Sequence, residues 1–276
     1  MDIIEQYIEA KTGKAELCED GFAVNDYFAA VIDGATNKSG FSFQSKSPGR
    51  IAMELIREAI LGLDSGCDAA AAIAEINRHI RDWYRDRGLL EGMRHKSEER
   101  CSASLVLFSG LRKELWFAGD CQALVNGEAI QPQKQVDRIF SELRALLIHV
   151  ELAQGKTEEE LRRHDTSRER IVDLLKLQTK LQNTPYSSEF SYYIIDGFDW
   201  DPALGLRIVP LNQPHGEIVL ASDGYPRLYP SLAETETSLA DLLREDPLCY
   251  KQYRSVKGRY GDNISFDDRC YIRFSY

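Results

Sequence analysis

The chain has 276 residues, of which 43% are hydrophobic, and this is enough to bury a substantial core. Its formal net charge is −10, with acidic and basic residues scattered along the chain, which argues against a nucleic-acid partner or an acidic membrane surface. No stretch approaches about 18 consecutive apolar residues, and the N-terminus lacks the basic and apolar segments of a secretion signal, so we expect a cytoplasmic protein with no membrane partner.

The six cysteines are widely spaced and include no C-x-x-C pair. Such spacing lacks both the dense framework of a disulfide-stabilised secreted domain and the paired ligands of a structural zinc site. We therefore expect reduced, mostly buried thiols and no zinc.

The first third of the chain changes from strand character to helix character. Residues 1–35 alternate short apolar runs with Gly, Asp and Asn, which predicts two or three strands joined by tight turns. From Arg50 onward apolar residues recur at helical spacing, first to Leu63 and then, after a glycine-bounded break, from Ala69 to Tyr84. This pattern predicts a helical hairpin with one apolar face.

Strand character returns at residues 104–108, 114–118 and 123–125, and the last of these runs into Asn126-Gly127. Asn-Gly between apolar runs is a strong signal for a two-residue hairpin turn, so we expect an antiparallel sheet here. Residues 133–183 again have helical spacing, with one helix to about residue 150 and a second predicted over residues 158–181. Further strands are predicted at 192–195, 206–209, 217–221 and 269–274, with a short helix at 238–244.

Strands that come in hairpin-rich blocks, separated by pairs of helices, favour an antiparallel arrangement over a doubly wound fold. The prediction is an α+β fold with a central antiparallel β-sandwich flanked on both faces by helix pairs (α-β-β-α). We expect one domain over residues 1–276, with a helical insertion at about 133–183 that borders the active-site cleft.

Acidic residues stand at the edges of several predicted strands. Glu19-Asp20 precede one strand, Asp33-Gly34 end the next, Asp223-Gly224 follow a third, and Asp262-Asn263 come shortly before the end of the chain. Carboxylates gathered by a sheet are the ligands that hard cations such as Mg²⁺ prefer. The chain offers no G-x-S-x-G, H-E-x-x-H or phosphate-binding Walker loop as an alternative catalytic motif.

The ordered fragments resemble the metal-dependent protein phosphatases of the protein phosphatase 2C type over nearly the whole chain. In that family the fragments are E-D before a strand, V-x-D-G-x-x-G, G-D-S-R, L-x-S-D-G and D-N-I-T. The counterparts here are Glu19-Asp20, Val31 to Thr36, Gly119 to Gln122, Leu220 to Gly224 and Asp262 to Ser265.

The resemblance implies a Mg²⁺ or Mn²⁺ centre that hydrolyses phosphoserine and phosphothreonine monoesters in a phosphoprotein substrate, by attack of a water bridging two ions. By this resemblance Asp33 bridges the ions and serves catalysis, and Asp20 orients the attacking water. The implied metal ligands are Glu19, Asp33, the Gly34 carbonyl, Asp223 and Asp262, with Asp120 at a possible third ion.

The sequence also departs from the family pattern. The arginine that holds the substrate phosphate in the family is replaced by Ala15, the glycine pair after Asp33-Gly34 is replaced by Ala35-Thr36, and no histidine stands beside Asp33. Two alternatives therefore stay open: a catalytically silent or weak member that acts as a binding or regulatory protein, and a hydrolase of a small-molecule phosphate ester.

Overall fold

Two antiparallel sheets form the centre of the protein in a computed structural model that describes residues 1–36 and 38–276. The strands are β1 (Asp2–Glu9), β2 (Asp20–Val24), β3 (Phe28–Gly34), β4 (Ala103–Ser109), β5 (Glu114–Ala118), β6 (Gln122–Val125), β7 (Glu128–Ile130), β8 (Arg207–Pro210), β9 (Glu217–Ala221) and β10 (Arg269–Ser275). The helices are α1 (Pro48–Leu61), α2 (Ala69–Asp86), α3 (Leu90–His95), α4 (Gln135–Ala153), α5 (Glu158–Arg163), α6 (Thr166–Leu177), α7 (Pro202–Gly205) and α8 (Leu232–Glu245). Over these described ranges, no helix has both the length and the apolar character to cross a membrane.

The two sheets pack face to face as a sandwich. One has the strand order β1-β10-β9-β6-β7 and the other β2-β3-β4-β5-β8, and neighbouring strands are antiparallel throughout the described residues. Side chains alternate between the two faces of a strand, so every second residue points between the sheets. Their shared core includes Val31, Val106 and Phe117 from one sheet and Leu220 and Ile272 from the other.

The outer face of the β2-β3-β4-β5-β8 sheet is covered by the helical hairpin that the sequence predicts. Ile32 and its outward-facing neighbours pack against Ile56 of α1 and Ile76 of α2. Both helices start at side chains that accept hydrogen bonds from free backbone N–H groups, because Ser47 accepts from Arg50 and Asp68 from Ala71. The hairpin thus fixes the outer side of the sheet that carries Asp33.

The outer face of the other sheet is covered by α8 and the irregular segment 246–266. Leu239 and Leu243 of α8 pack with Tyr225, Phe266 and Tyr271. The predicted α+β sandwich with flanking helices is confirmed. On this face one long helix and an irregular segment take the place of a second helix pair.

The helical region between β7 and β8 differs in detail from its prediction. The single helix predicted over residues 158–181 is divided into α5, α6 and a 3₁₀ turn at Gln178–Leu181. The break falls at Asp165, whose side chain accepts a hydrogen bond from the backbone N–H of Arg168 and so starts a new helix. The strand predicted at residues 192–195 is reduced to single bridges at Tyr192 and Ile195.

Candidate active site

The inner faces of the strands end in polar side chains at one edge of the sandwich. In β3 the inward-facing row Ala29, Val31 ends at Asp33, since residues two apart share a face. Asp20 of β2 is the direct partner of Asp33 across the strand pair, and Ser104 of β4 is its partner on the other side. The sheet therefore brings two carboxylates to the same edge.

The other sheet adds Asp223, Asp267 and Asp268 just beyond its strand ends. Gly224, which follows Asp223, lies so close to the backbone of Asp268 that an added Cβ would stand 1.9 Å from the Asp268 carbonyl oxygen. Asp268 also accepts hydrogen bonds from the backbone N–H groups of Lys11 (2.8 Å) and Glu19 (2.9 Å). These contacts hold the end of β9, the start of β10 and the segment before β2 together.

A cavity of about 300 Å³ opens at this edge. Six carboxylates line it: those of Asp33, Asp120, Asp223 and Asp267 at the sheet edge, and those of Glu98 and Asp137. Glu19 and Asp20 are buried, with 6% and 3% of their surface exposed. Helical residues 137–141, 168–175 and 178–182 contribute further lining side chains, so the segment between β7 and β8 lies over the site.

The structure places most of the predicted site residues in this group, but not Asp262. Asp262 is exposed in a turn, and its neighbour Gly261 donates a backbone hydrogen bond to Arg162. Asp267 stands where the sequence analysis placed Asp262, in the last acidic pair before β10 and beside the other carboxylates. The sequence analysis named the earlier of two acidic pairs, and the structure places the later pair, Asp267-Asp268, beside the other carboxylates.

Gly34, whose carbonyl was predicted as a ligand, lies in a tightly packed backbone crossing. An added Cβ would stand 2.4 Å from the carbonyl oxygen of Glu19 and 2.5 Å from that of Gly49. The Gly34 N–H donates to the same Glu19 carbonyl at 3.2 Å. A side chain at this position would push the Glu19 segment away from Asp33.

Lysine side chains are part of the acidic group, which the sequence analysis did not anticipate. The Lys11 Nζ lies 3.4 Å from Glu19 Oε2, 3.3 Å from Asp268 Oδ2 and 3.5 Å from Asp267 Oδ1. The Nζ of Lys257 forms an ion pair with Asp267 and donates to Thr36 Oγ1 at 3.1 Å. Two ammonium groups therefore already contact carboxylates of the candidate metal site.

Asp120 has its own counter-ion. Its Oδ1 lies 2.8 Å from Lys134 Nζ and accepts a hydrogen bond from Ser104 Oγ at 2.6 Å. Burial acts to raise the pKa of Asp120, but the ion pair and these hydrogen bonds outweigh it, so the pKa is lowered. The side chain thus remains ionised and compensated.

Asp20, Asp33 and Asp223 are the uncompensated members of the group. In the described part of the chain no lysine or arginine forms a salt bridge with any of the three. Burial, reinforced by the neighbouring carboxylates, raises the pKa of each of the three side chains well above its usual range. This arrangement favours binding of a further cation.

The donor types of this group suit a hard divalent cation, although within the described residues no three Asp, Glu, His or Cys side chains are already arranged to hold one ion. The group consists of carboxylate oxygens with backbone carbonyls nearby, the ligand type that Mg²⁺ and Mn²⁺ prefer. Asp20 Oδ2 is buried and has no hydrogen-bond partner within the residues described, which is costly for a carboxylate without a cation or a water nearby. The residues present therefore match, in ligand type, the metal ions that the sequence resemblance implies.

Asp267, Lys11 and Lys257 are the residues that sequence reasoning missed. Asp267 carried the same signal as Asp33, an acidic residue at the edge of an apolar strand, and could have been found from it. The lysines carried no such signal, because an isolated lysine is most often a solvent-exposed residue.

A scan against protein-family models and a search of curated proteins found no match. Solved structures do resemble the chain. The serine/threonine phosphatase PstP of Mycobacterium tuberculosis is 16% identical, with 100% of this chain and 98% of that chain covered and a TM-score of 0.48. The catalytic domain of PstP in complex with two manganese ions is 15% identical, with 98% and 96% covered and a TM-score of 0.49. RsbX in complex with magnesium is 14% identical, with 99% and 97% covered and a TM-score of 0.45.

Two of these structures are of a serine/threonine phosphatase. Identities of 11–16% with TM-scores below 0.5 describe a likeness in overall arrangement, and they do not assign activity or metal dependence to this chain. Over nearly its full length, the chain is similar to these solved structures, and its own arrangement is a two-sheet α+β fold.

Proposed function

We propose that the chain is a Mg²⁺- or Mn²⁺-dependent phosphatase that hydrolyses phosphoserine and phosphothreonine monoesters in proteins. One observation carries the proposal: Asp33, Asp120, Asp223 and Asp267, from distant parts of the sequence, line one cavity. Two facts add support, namely the uncompensated charge of Asp20, Asp33 and Asp223 and the ordered resemblance to phosphatase 2C fragments.

In this proposal Asp33, Asp223 and Asp267 would hold one ion, and Glu19, Asp33 and the Gly34 carbonyl would hold a second. Divalent ions supply positive charge to the phosphoryl oxygens and make hydroxide available near neutral pH. A third ion at Asp120 has less support, because Lys134 already compensates that carboxylate.

The protein groups around these positions have separate roles. Asp20 is buried beside Asp33, and its Oδ2 has no hydrogen-bond partner in the described residues. It is therefore suited to orient the attacking water and to accept a proton from it. Asp268 holds the backbone of Glu19 in place through its hydrogen bonds. Lys257 lines the same cavity as Asp33, and its ion pair holds Asp267 in place.

Hydrolysis of p-nitrophenyl phosphate, measured with Mn²⁺, with Mg²⁺ and after chelation, tests the proposal. We expect metal-dependent hydrolysis in the wild type and its loss in Asp33→Asn and Asp223→Asn. A phosphoserine peptide and a phosphothreonine peptide then test the substrate class. Activity that survives chelation, or that survives both substitutions, would contradict the proposal.

A binding or regulatory protein that lacks turnover is the second candidate, and the ion pairs of Lys11 and Lys257 favour it. Ammonium groups that contact Glu19 and Asp267 oppose the binding of divalent ions at those carboxylates. Mn²⁺ binding without hydrolysis of any phosphopeptide or aryl phosphate would select this candidate. Hydrolysis of small esters but of no phosphopeptide would indicate a small-molecule hydrolase instead.

A further inference from the structure

The cavity is lined by positive as well as negative side chains. Four of the positive ones are already paired with carboxylates: Arg100 with Asp196, Lys134 with Asp120, Arg254 with Glu142, and Lys257 with Asp267. Arg138 is exposed and donates a hydrogen bond to Gln135. The remaining two cationic residues of the lining are Lys38 and Arg168.

Lys38 and Arg168 are both half-buried, and neither forms a salt bridge with a carboxylate in residues 1–36 and 38–276. The side chain of Arg168 donates to the carbonyl oxygen of Val256. A guanidinium has five N–H donors, so this bond leaves donors free for a ligand. Half-buried cations that form no salt bridge are costly unless a bound anion compensates them.

Charges of both signs surround Lys38, with Asp137 as the strongest single influence among them and three cations acting against it. Burial is the main reason that the pKa of Lys38 is lowered to about 8, and the charges of Lys257, Arg168 and Lys134 lower it further against the opposing effect of Asp137. The four cations come from four separate segments of the chain. It is the folding of the chain that brings these four cations to the same cavity.

We propose that Lys38 and Arg168 form the binding site for the phosphate group of the substrate, a phosphate monoester dianion. The proposal rests on the proposed function for the identity of the substrate, but the anion site itself follows from the two unpaired cations in the cavity. Ala15, at the position where the family has its phosphate-binding arginine, is exposed and offers no cation. A bidentate guanidinium together with an ammonium matches the oxygens of a phosphate.

A buried ion pair holds the Arg168 side of this site in position. Asp165 accepts from Arg144 Nη2 at 2.6 Å and from the backbone N–H of Arg168 at 2.9 Å. Arg144 also donates through Nη1 to the carbonyl oxygens of Leu248 (2.8 Å) and Ser255 (3.0 Å). The start of α6 is thereby joined to the segment that carries Val256, and Arg144 acts as a positioning residue for Arg168.

Binding of inorganic phosphate, measured by isothermal titration calorimetry at saturating Mg²⁺, tests the proposal. We expect the Kd to rise at least about tenfold in Lys38→Met and in Arg168→Met. Arg138→Met and Arg254→Met are matched controls, because they also line the cavity, and we expect a Kd within about twofold of the wild type. Thermal unfolding of each variant shows whether it is folded.

Arg168→Lys and Lys38→Gln are the second pair of variants, in case a methionine variant does not fold. Lysine at position 168 keeps the charge but loses bidentate geometry, so its Kd should lie between those of the wild type and Arg168→Met. A Kd within twofold of the wild type in folded variants at both positions, or no phosphate binding in the wild type, would overturn the proposal. Phosphate binding that depends on both residues in a protein without hydrolytic activity would contradict the proposed function and leave this inference standing.

Discussion

Asp20 and Asp33 are direct partners across the antiparallel pair of β2 and β3. Because paired residues place their side chains on the same face, two carboxylates meet at the inner edge of one sheet. Like charges in this position are destabilising, and burial adds to the cost. The pair therefore lowers the stability of the metal-free protein at the position where we expect a cation to bind.

The first prediction concerns the pH dependence of stability in EDTA. The folded-state pKa values of Asp20, Asp33 and Asp223 are raised above the unfolded value of about 3.9, so above that value the folded state binds more protons than the unfolded state. The free energy of unfolding should therefore fall as pH rises from about 5 to 8. Asp120 and Asp267 have lowered pKa values, so they change the free energy of unfolding with pH only below about pH 4. Chemical denaturation across this pH range measures the slope.

Asp33→Asn tests the origin of that slope. The substitution should flatten the slope and raise the free energy of unfolding at pH 8 by about 1–3 kcal/mol, because it removes a buried, unpaired charge. Saturating Mg²⁺ should stabilise the wild type and not the variant. An exposed acidic residue, Asp262, provides the matched control, and Asp262→Asn should leave the slope unchanged. A wild-type slope of the opposite sign would contradict this account of the carboxylates.

The second prediction distinguishes Asp267 from Asp262. Asp267 lines the cavity, whereas Asp262 is exposed in a turn. Asp267→Asn should lower Mn²⁺-dependent hydrolysis of p-nitrophenyl phosphate at least about 100-fold, and Asp262→Asn should change it by less than about twofold. Steady-state kinetics with both variants measures the difference. Equal losses in the two variants would place Asp262 in the site after all.

The third prediction is that Lys11 weakens metal binding. Its Nζ lies within 3.5 Å of Glu19, Asp267 and Asp268, so it competes with a divalent ion for the same oxygens. Lys11→Met should tighten Mn²⁺ binding at least about tenfold, which is about 1.4 kcal/mol. Lys14→Met, at an exposed lysine nearby, should leave the affinity unchanged. Weaker binding in Lys11→Met would show that Lys11 supports the site by holding its ligands.

The fourth prediction concerns the pH dependence of phosphate binding. Lys38 is charged below its pKa of about 8 and neutral above it, so phosphate affinity should fall as pH rises from about 7.5 to 9. Phosphate is already a dianion in this range, since its second pKa lies near 7, so the change reports on the protein. Lys38→Arg keeps its charge at these pH values and should bind phosphate with little change. Phosphate titrations of the wild type and of Lys38→Arg at three pH values test the prediction. The prediction fails if the phosphate affinities of the two proteins change with pH in the same way.

The fifth prediction concerns the ion pair between Arg144 and Asp165. Both side chains are buried, and removal of one leaves the other uncompensated. Arg144→Ala should lower the free energy of unfolding by about 3–5 kcal/mol. The double variant Arg144→Met with Asp165→Asn should recover much of this loss, because asparagine can still start α6. Denaturant unfolding of the wild type, Arg144→Ala and the double variant measures these free energies. A double variant as unstable as Arg144→Ala would mean that the ion pair itself stabilises the fold.

Most strands and the first helical hairpin could be predicted from the sequence because their signals are local. The apolar run of β3 and the Asn126-Gly127 turn between β6 and β7 depend on neighbouring residues only, and both are found in the structure. The prediction of one long helix over residues 158–181 was wrong, and the reason is also local. Asp165 caps the start of a new helix, and the helical spacing of apolar residues does not show this interruption.

The candidate site was less predictable, because its members meet only in the folded chain. Asp33 and Asp223 could be found from their places at strand ends, but choosing between Asp262 and Asp267 required knowing where β10 begins. Nothing local marks Lys11 or Arg168 as part of the site. The ion pair between Lys11 and Asp268 and the hydrogen bond from Arg168 to Val256 both join segments far apart in the sequence.

Anomalous diffraction from crystals grown with Mn²⁺ tests the central claim most directly, since it locates the ions independently of activity. The account predicts manganese at the cavity, bound by Asp33, Asp223 and Asp267. The Asp33→Asn protein, treated in the same way, should show no peak there. Absence of manganese from this cavity in wild-type crystals, or manganese bound instead at Asp262, would contradict the account.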